Sequence, residues 1–328
     1  MPGNRDLVTV PPASQKKFTS TGKDIDRVLE ARNSGEQCYP AIYLSKGILN
    51  VTRPTLLFAD VAMAAEIDRA EGGLCAQICK RTAQRRPEKR AIARSIAGGV
   101  AAYAGPGAPS NKVIGIGLGQ TLDESTLAAT EEEYRERNEP VRIELATLAD
   151  AMIPALLTAR GYRLVGFENV LGHPLDLEAP SGPRLPIEIV PAQVEAEWLD
   201  VIVDGFASPD PGPGPMETYP REALEQALAD FGGSTGFVRY LARVEGKPAG
   251  AASVRIAGEI AQMCGAATLP VFRRRGIQTA LLERRLMDAR AANCKLAVVT
   301  TQPGSKSQAN SQRRGFQLLY TRAILIRE

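Results

Sequence analysis

Histidine is nearly absent from this chain of 328 residues, which contains only His173. A metal site would therefore lack its usual imidazole ligands, and a Ser-His or Cys-His relay has no base unless His173 supplies it. The turn-like sequence Gly172-His173-Pro174 predicts that this histidine lies in a surface turn. We therefore expect no metal site and a mechanism that does not depend on histidine.

Cysteine is sparse and scattered, with five residues at Cys38, Cys75, Cys79, Cys264 and Cys294. An odd number at irregular spacing fits a reducing compartment better than a disulfide framework. Cys75 and Cys79 are four residues apart and could share one helix face, which predicts two buried thiols. These features favour a cytoplasmic protein.

Long apolar runs are also missing. No stretch approaches the length that crosses a bilayer, and the first 23 residues contain no apolar core followed by a cleavage site. The net charge of +3 is close to balance, so the composition does not call for nucleic acid. The expectation is a soluble chain with neither a membrane nor a nucleic-acid partner, in which local clusters account for any anion binding.

The chain is long enough for two domains of common size. Residues 1–50 are polar and irregular, and we interpret them as an N-terminal arm. A second break, rich in proline and glycine, predicts a linker at residues 179–185. This division gives one domain over residues 51–178 and another over residues 186–328.

The C-terminal domain is predicted to be a mixed β-sheet flanked by helices, with a strand, a glycine turn and a helix at its centre. Its predicted strands are at 187–190, 237–244, 249–256, 260–269, 295–301 and 316–326, and its helices at 195–206, 221–231, 277–293 and 307–314. The prolines and glycines of residues 208–215 forbid regular structure.

Part of that order occurs earlier in the chain. Residues 141–147, a helix to Arg160 and the strand that follows Gly161 parallel residues 295–301, a helix to Arg314 and the strand that follows Gly315. The two glycines are 154 positions apart (315 − 161 = 154). We interpret this as a tandem of two similar α/β domains.

The strongest local motif is Arg273-Arg274-Arg275-Gly276-Ile277-Gln278, where a strand is predicted to give way to a helix. Backbone N–H groups at such a junction can converge on a phosphate, and the helix start adds partial positive charge. Three arginines supply fixed cations for a polyanion. A diphosphate is the expected ligand, although a basic surface turn without a ligand would give the same letters.

This motif, with the strands and helices around it, resembles the GNAT acyltransferases over residues 186–328. Arg273, Gly276 and Ile277 fit the family pattern, and Gln278 stands where the family usually has a second small residue. The resemblance implies acetyl-CoA or another acyl-CoA as co-substrate, and no metal. It implies that Ala266, Ala267 and Thr268 hold the pantetheine arm. The residues implied for the diphosphate are Arg273, Arg274, Arg275, Gly276, Ile277, Gln278 and Thr279.

A second region of the resemblance is residues 304–316, where Asn310 is expected to bond the pantetheine amide with help from Ser307. The family commonly has a tyrosine four residues before the glycine of this region, and Ser311 stands there. Tyr320 is the predicted substitute, because a phenol that reaches the sulfur can protonate a leaving thiolate; a tyrosine packed on the sheet is the equal alternative.

Glu259 is the predicted base for the attacking amine, with a solvated surface acid as the alternative. Asp210 and Glu217 lie on the Pro/Gly-rich segment, which by the resemblance borders the acceptor, and their charge would favour a cationic amine. Cys264 could form an acyl-enzyme, but a buried thiol without a histidine is usually inert. Direct attack in a ternary complex is therefore expected.

The earlier copy differs at the critical place. The offset of 154 aligns the arginine loop with residues 119–124, which hold Asp123 and Glu124 where a diphosphate would need cations. This degenerate half is expected not to bind CoA and to have a structural role. Gly115, Gly117 and Gly119 are predicted to alternate along a strand, which is not the dinucleotide-binding fingerprint.

The sequence thus favours an N-acyltransferase that moves an acyl group, most simply acetyl, from CoA to an amine of a small molecule. One alternative keeps the fold and takes the acyl group from an acyl carrier protein, whose acidic surface the arginines could meet. Another is a catalytically silent CoA-binding or regulatory protein.

Overall fold

The computed structural model describes residues 56–175, 188–191, 195–208 and 221–328. The predicted arm, the predicted linker and residues 209–219, with Asp210 and Glu217, lie outside these ranges. The helices are α1 (Val61–Arg85), α2 (Glu124–Arg135), α3 (Ile153–Ala159), α4 (Glu195–Ala207), α5 (Arg221–Gly232), α6 (Ile277–Ala291) and α7 (Lys306–Arg313). None of these helices is both long and apolar enough to cross a membrane.

The strands form one mixed sheet, so the predicted α/β class with a mixed sheet is confirmed, whereas the two halves share this sheet and do not have one each. They are β1 (Ile92–Ile96), β2 (Gly99–Tyr103), β3 (Lys112–Ile114), β4 (Val141–Ala146), β5 (Arg163–Pro174), β6 (Glu188–Pro191), β7 (Phe237–Val244), β8 (Lys247–Ala257), β9 (Ile260–Gln262), β10 (Ala266–Thr268), β11 (Leu296–Thr301) and β12 (Gln317–Arg327). The spatial order is β1-β2-β3-β4-β12-β5-β11-β9-β8-β7-β6, with β10 paired to β8 alone.

The pairing pattern occurs twice along the sheet. In the N-terminal half, β1, β2 and β3 pair antiparallel in turn, and β3 pairs parallel with β4. In the C-terminal half, β7, β8 and β9 pair antiparallel in turn, and β9 pairs parallel with β11. The order β4, α3, β5 in the N-terminal half likewise matches the order β11, α7, β12 in the C-terminal half.

The two halves interleave at the centre of the sheet. Strand β12 of the C-terminal half lies between β4 and β5, and β5 of the N-terminal half lies between β12 and β11. All of these contacts are antiparallel. The division at residues 179–185 therefore stays a prediction about the sequence, because each half supplies a strand that is hydrogen bonded to the other.

A buried ion network lies where the halves meet. Arg322 on β12 is fully buried and contacts Asp68 at 2.5 Å, Glu71 at 2.7 Å and Glu168 at 3.1 Å. The same group includes Glu144, whose carboxylate is 3.0 Å from Lys112 Nζ and 3.4 Å from Arg142 Nε. Four carboxylates thus face three cations. Glu71, Glu144 and Glu168 could together offer oxygen ligands to a metal, but Lys112 and Arg322 already contact these carboxylates.

The pKa values of these carboxyls diverge because their neighbours differ. Burial and the charges of Glu144 and Glu71 raise the pKa of Glu168 to about 7. For Glu71, burial acts in the same direction, but the neighbouring charges of Arg322 and Lys112 win and lower the pKa to about 2. Of the two carboxyls Glu168 and Glu71, it is therefore Glu168 that binds a proton near neutral pH, which reduces the excess of negative charge in the network.

Two glycines allow helices to pack closely against strands in the C-terminal half. Gly205 on α4 faces Ala267 of β10, and a Cβ on that glycine would lie 2.4 Å from the Cβ of Ala267. Gly250 on β8 leaves room for Ile277 at the start of α6, 2.7 Å from where its own Cβ would be. Helices α4 and α6 can therefore both approach β10 closely. Trp198 anchors α4 through an indole N–H that donates to the carbonyl of Ala252 at 3.0 Å.

Candidate active site

A groove opens in the C-terminal half where two neighbouring strands separate. Strand β9 pairs with β11 as far as Gln262 and Val298, whereas β10 pairs only with β8. Between β9 and β10 the backbone N–H of Ser253 donates to two successive carbonyls, those of Cys264 at 3.2 Å and Gly265 at 3.1 Å. One donor shared by two residues of the facing strand is a β-bulge, which bends β10 away from β11.

The exposed edge of β10 can accept an extended ligand. The N–H of Leu269 donates to the carbonyl of Ala249 on β8 at 3.0 Å, so the groups of Ala266 and Thr268 point to the other side by alternation. The hydroxyl oxygen of Thr268 is buried and has no hydrogen-bond partner. An amide-bearing chain laid along β10 would pair with the outward backbone groups of this edge.

The groove has a volume of about 1510 Å³. Helix α7 lines the side opposite β10, and Ser307, Asn310 and the buried Ser311 face the groove. Ser305 caps α7 by accepting a hydrogen bond from the N–H of Gln308 at 3.1 Å. Ser307 and Asn310 thus line the groove, and their placement beside a pantetheine arm stays a prediction.

The start of α6 lies at the other end of the groove. Gly276 precedes the helix with φ of 80°, and Arg274 also has a positive φ of 62°. No side chain caps this helix, so its first N–H groups keep their hydrogen-bonding capacity. Gly276, Ile277, Gln278 and Thr279 all line the groove there. The arrangement is that of an anion site at a helix N-terminus.

The corresponding helix of the N-terminal half, α2, is capped by a side chain at its N-terminus. Asp123 precedes α2 and accepts a hydrogen bond from the N–H of Thr126 at 2.8 Å and from the Ser125 hydroxyl at 2.6 Å. These bonds lower the pKa of Asp123 to about 2, with the bond from Ser125 as the largest cause. A carboxylate therefore occupies the place that an incoming anion would need, as Asp123 and Glu124 led us to expect.

The three adjacent arginines have different surroundings. Arg273 lines the groove, and its guanidinium donates to the carbonyl of Thr268 at 3.2 Å and to that of Ser208, so it braces the loop against β10 and α4. Arg274 lines the groove. Arg275 stacks over Phe272 at 5.6 Å and does not line the groove. Among the predicted cofactor residues, Arg275 alone lies outside the groove lining.

Sequence reasoning missed three cations that line the groove, namely Arg285, Lys306 and Arg314. Arg314 contacts Glu283 at 2.9 Å and the Thr279 hydroxyl at 3.2 Å, which ties α7 to the start of α6. Its signal was present, because Arg314 directly precedes the glycine that the motif uses.

Arg285 is the buried cation of the site. It donates to the carbonyls of Leu281 at 3.2 Å and Ser253 at 3.1 Å, and within the described ranges no carboxylate pairs with it. Burial lowers its pKa to about 10, so it stays charged at neutral pH. Because Ser253 also holds the β-bulge, Arg285 lies at the inner end of the groove.

The two predicted catalytic residues do not line the groove. Tyr320 is buried under α1, and its hydroxyl donates to Asp68 at 2.6 Å. Burial and the charge of Asp68 raise the pKa of Tyr320. Glu259 lies in the turn between β8 and β9 and pairs with Lys295 at 2.7 Å in solvent. The geometry therefore favours the alternatives, a packed tyrosine and a surface acid.

Other expectations also need correction or find support. His173 is buried at the end of β5 against Phe316, with ring centroids 5.2 Å apart, so the predicted surface turn is wrong. The glycines at 115, 117 and 119 follow β3 with positive φ and do not alternate along a strand. Cys75 and Cys79 are buried thiols of α1 as predicted, and burial raises both pKa values to about 12.

Comparison with known proteins finds similarity in part of the sequence and in the fold. Residues 200–316 match the model of the acetyltransferase (GNAT) family. No curated protein sequence matches the chain. A solved GCN5-related N-acetyltransferase from Kribbella flavida has 17% identity and a TM-score of 0.57, covering 80% of this chain and 95% of its own.

A second solved structure shares the fold over most of both chains. It is a tandem GNAT protein from the clavulanic acid biosynthesis pathway, with 14% identity and a TM-score of 0.52, covering 81% of this chain and 96% of its own. At these identities the two structures speak for the fold alone. Residues 200–316 thus match the GNAT family model, and the two solved structures show that the chain shares the fold of a tandem GNAT protein.

Proposed function

We propose that the chain is an acyl-CoA-dependent N-acyltransferase that modifies an amine of a small molecule. The observation that carries this proposal is the continuity of the groove, which runs from the open edge of β10 to the uncapped start of α6. Coenzyme A has the matching order, because an amide-bearing pantetheine arm leads to a diphosphate. An edge strand suits the arm and a helix N-terminus suits the diphosphate.

In this arrangement the pantetheine amides pair with Ala266 and Thr268, and Asn310 approaches from α7. The diphosphate lies against the N–H groups at residues 276–279, with Arg274 as the adjacent cation. Arg273 holds the loop in place through its bonds to Thr268 and Ser208. Lys306 and Arg314 add positive charge to the rim.

The reaction is direct attack in a ternary complex. The amine nitrogen forms a bond to the thioester carbon, the carbon–sulfur bond breaks, and the proton lost by nitrogen is taken up by the departing thiolate directly or through water. Negative charge develops on the carbonyl oxygen and then on sulfur. Arg285 is the buried cation nearest the inner end of the groove, and it stabilises that charge in a site of low polarity.

Two adjacent arginines provide a matched test. Arg274→Ala removes a cation that lines the groove, and we expect CoA to bind about 10- to 150-fold more weakly, since a hydrogen bond to a charged group is worth roughly 1.5–3 kcal/mol. Arg275→Ala removes a cation that stacks on Phe272, and the affinity for CoA should not change. Calorimetric titration with CoA, dephospho-CoA and pantetheine measures both; equal losses in the two variants would contradict the placement.

Catalysis is tested separately by thiol release from acetyl-CoA across a panel of amines. Turnover that requires Arg285 supports the proposed chemistry. Tight CoA binding without turnover on a broad panel would favour the silent CoA-binding alternative. Binding of pantetheine as tightly as CoA would show that the diphosphate contributes nothing, and would favour a carrier-bound donor.

A further inference from the structure

A second, apolar cavity adjoins the inner end of the groove. It has a volume of about 220 Å³ and lies between α4, α5 and the β-bulge. Phe206 and Gly265 line both the groove and this cavity, so the two spaces share a wall at these residues. The Phe206 ring lies 3.4 Å from where a Cβ on Gly265 would be, so the ring and the glycine backbone are in contact at this shared wall.

The lining of this cavity is almost entirely hydrocarbon. Helix α5 contributes Leu224, Ala227, Leu228 and Phe231, and β7 contributes Phe237. Ser253 donates its hydroxyl to the carbonyl of Cys264 at 2.9 Å, so it offers no free donor. Burial raises the pKa of Cys264 to about 12 and keeps that thiol neutral.

No charged side chain lines the cavity within the described ranges. A cationic or strongly polar group that entered it would lose water without gaining a partner. Transfer of an alkyl chain from water to this apolar lining would be favourable. The cavity therefore selects an apolar occupant, and its position at the thioester end of the groove makes that occupant a continuation of the bound acyl group.

We infer that this transferase accepts acyl chains longer than acetyl, with the chain seated in the cavity between α4, α5 and the β-bulge. The inference rests on the proposed function. An apolar cavity of about 150 Å³ is known to hold a benzene ring, so 220 Å³ gives room for a chain of roughly four to eight carbons. Acetyl itself would leave most of the space unfilled.

The experiment measures the affinity of the full chain for CoA and for its acetyl, butanoyl, hexanoyl and octanoyl thioesters by calorimetry. Each methylene that enters the cavity should tighten binding by about three- to fourfold. The expected result is a steady rise from acetyl to hexanoyl. Affinities that are equal or that fall with chain length would overturn the inference, while binding of CoA itself reports separately on the proposed function.

A pair of variants on one helix locates the effect. Ala227→Phe fills the cavity and should abolish the dependence on chain length while CoA binds as before. Ala229→Phe changes the same helix at a position that does not line the cavity and should keep the dependence. Leu224→Trp, at a half-buried position, fills the same space if Ala227→Phe does not fold.

The competing occupant is the apolar part of an amine acceptor. Hexylamine in place of the acyl series tests it with the same variants. If chain length has no effect on thioester binding and hexylamine binding is lost in Ala227→Phe alone, the cavity belongs to the acceptor and the acyl assignment is wrong.

Discussion

One added charge at the start of α6 tests the diphosphate site with two readouts of opposite sign. Gln278 is the second residue of α6 and lines the groove. Gln278→Glu places a carboxylate among the helix N-terminal N–H groups. Without ligand, that carboxylate complements the helix dipole, and the free energy of unfolding should hold or rise by about 0.3–1 kcal/mol.

With ligand, the same carboxylate faces the diphosphate. At about 5 Å, with an effective dielectric constant between roughly 20 and 80, one pair of like charges repels by ~1–3 kcal/mol. The affinity for CoA should therefore fall by about 5- to 150-fold, and higher salt should shrink the loss. Calorimetric titration gives the affinity and urea unfolding gives the stability.

Ser125→Glu is the matched control, because Ser125 is the second residue of α2 in the other half. It should leave CoA affinity unchanged. If Gln278→Glu is as stable as the original chain or more so and binds CoA within twofold of it, the diphosphate does not lie at the start of α6 and the reasoning fails. Equal losses in both variants would point to a general effect of net charge.

Three further predictions concern the rest of the fold. Arg322→Met leaves Asp68 and Glu168 without an ion-pair partner among the described residues and Glu71 with Lys112 alone, and should cost about 3–5 kcal/mol in urea unfolding. The raised pKa of Glu168 means that the folded state holds a proton which the unfolded state releases, so stability should fall by up to ~3 kcal/mol from about pH 4.5 to 7. Glu168→Gln should reduce this slope, and Asp68, whose pKa burial also raises, contributes a fall in the same direction. Gly205→Ala forces α4 away from Ala267 and should cost about 1–3 kcal/mol and weaken CoA binding.

Controls separate these effects from general damage. The pKa of Glu71 is lowered to about 2, so the stability that this carboxylate contributes to the protein is complete above about pH 4.5 and is lost as the pH falls to about 2. This range lies below the pH range of Glu168, so the two slopes can be measured separately. A stability that rises between pH 5 and 7 would contradict the assignment to Glu168. Gly73→Ala tests a helical glycine with open space, since its nearest neighbour is 3.9 Å away; it should stabilise α1 and leave CoA binding unchanged.

The anion loop could be predicted because its information is local. The strand, the glycine at residue 276 and the start of α6 lie within about a dozen residues, and turn chemistry with hydrophobic period defines each of them. The sequence could not distinguish the three arginines, because their roles depend on Phe272, on Ser208 and on the direction of each side chain.

The ion network could not be predicted, because its partners are far apart in the chain. Arg322 lies 254 residues from Asp68 and 154 residues from Glu168. One local signal was available: alternation puts Tyr320 and Arg322 on the same face of β12, and an arginine beside a tyrosine on a central strand indicates a buried polar network. That signal would have favoured a packed Tyr320 over a proton donor.

The burial of His173 escaped prediction for a similar reason. Its neighbours in sequence, Gly172 and Pro174, are typical of turns, yet all three are part of β5. Strand β5 reaches the centre of the sheet only because β11 and β12 of the other half flank it. Local turn residues cannot report a strand exchange between two halves of a chain.

The repeat explains why one half has a groove and the other does not. In the N-terminal half, Ile114 pairs with Glu144 across β3 and β4. The offset of 154 takes this pair to positions 268 and 298 (114 + 154 and 144 + 154), where Thr268 instead belongs to β10 and is not paired with β11. The N-terminal half thus has paired strands and a helix capped by a side chain at this place. The C-terminal half has separated strands and a helix without a side-chain cap. If the groove is the CoA site, inserting a bulge after β3 should open strands there without creating affinity for CoA, because Asp123 would still cap α2.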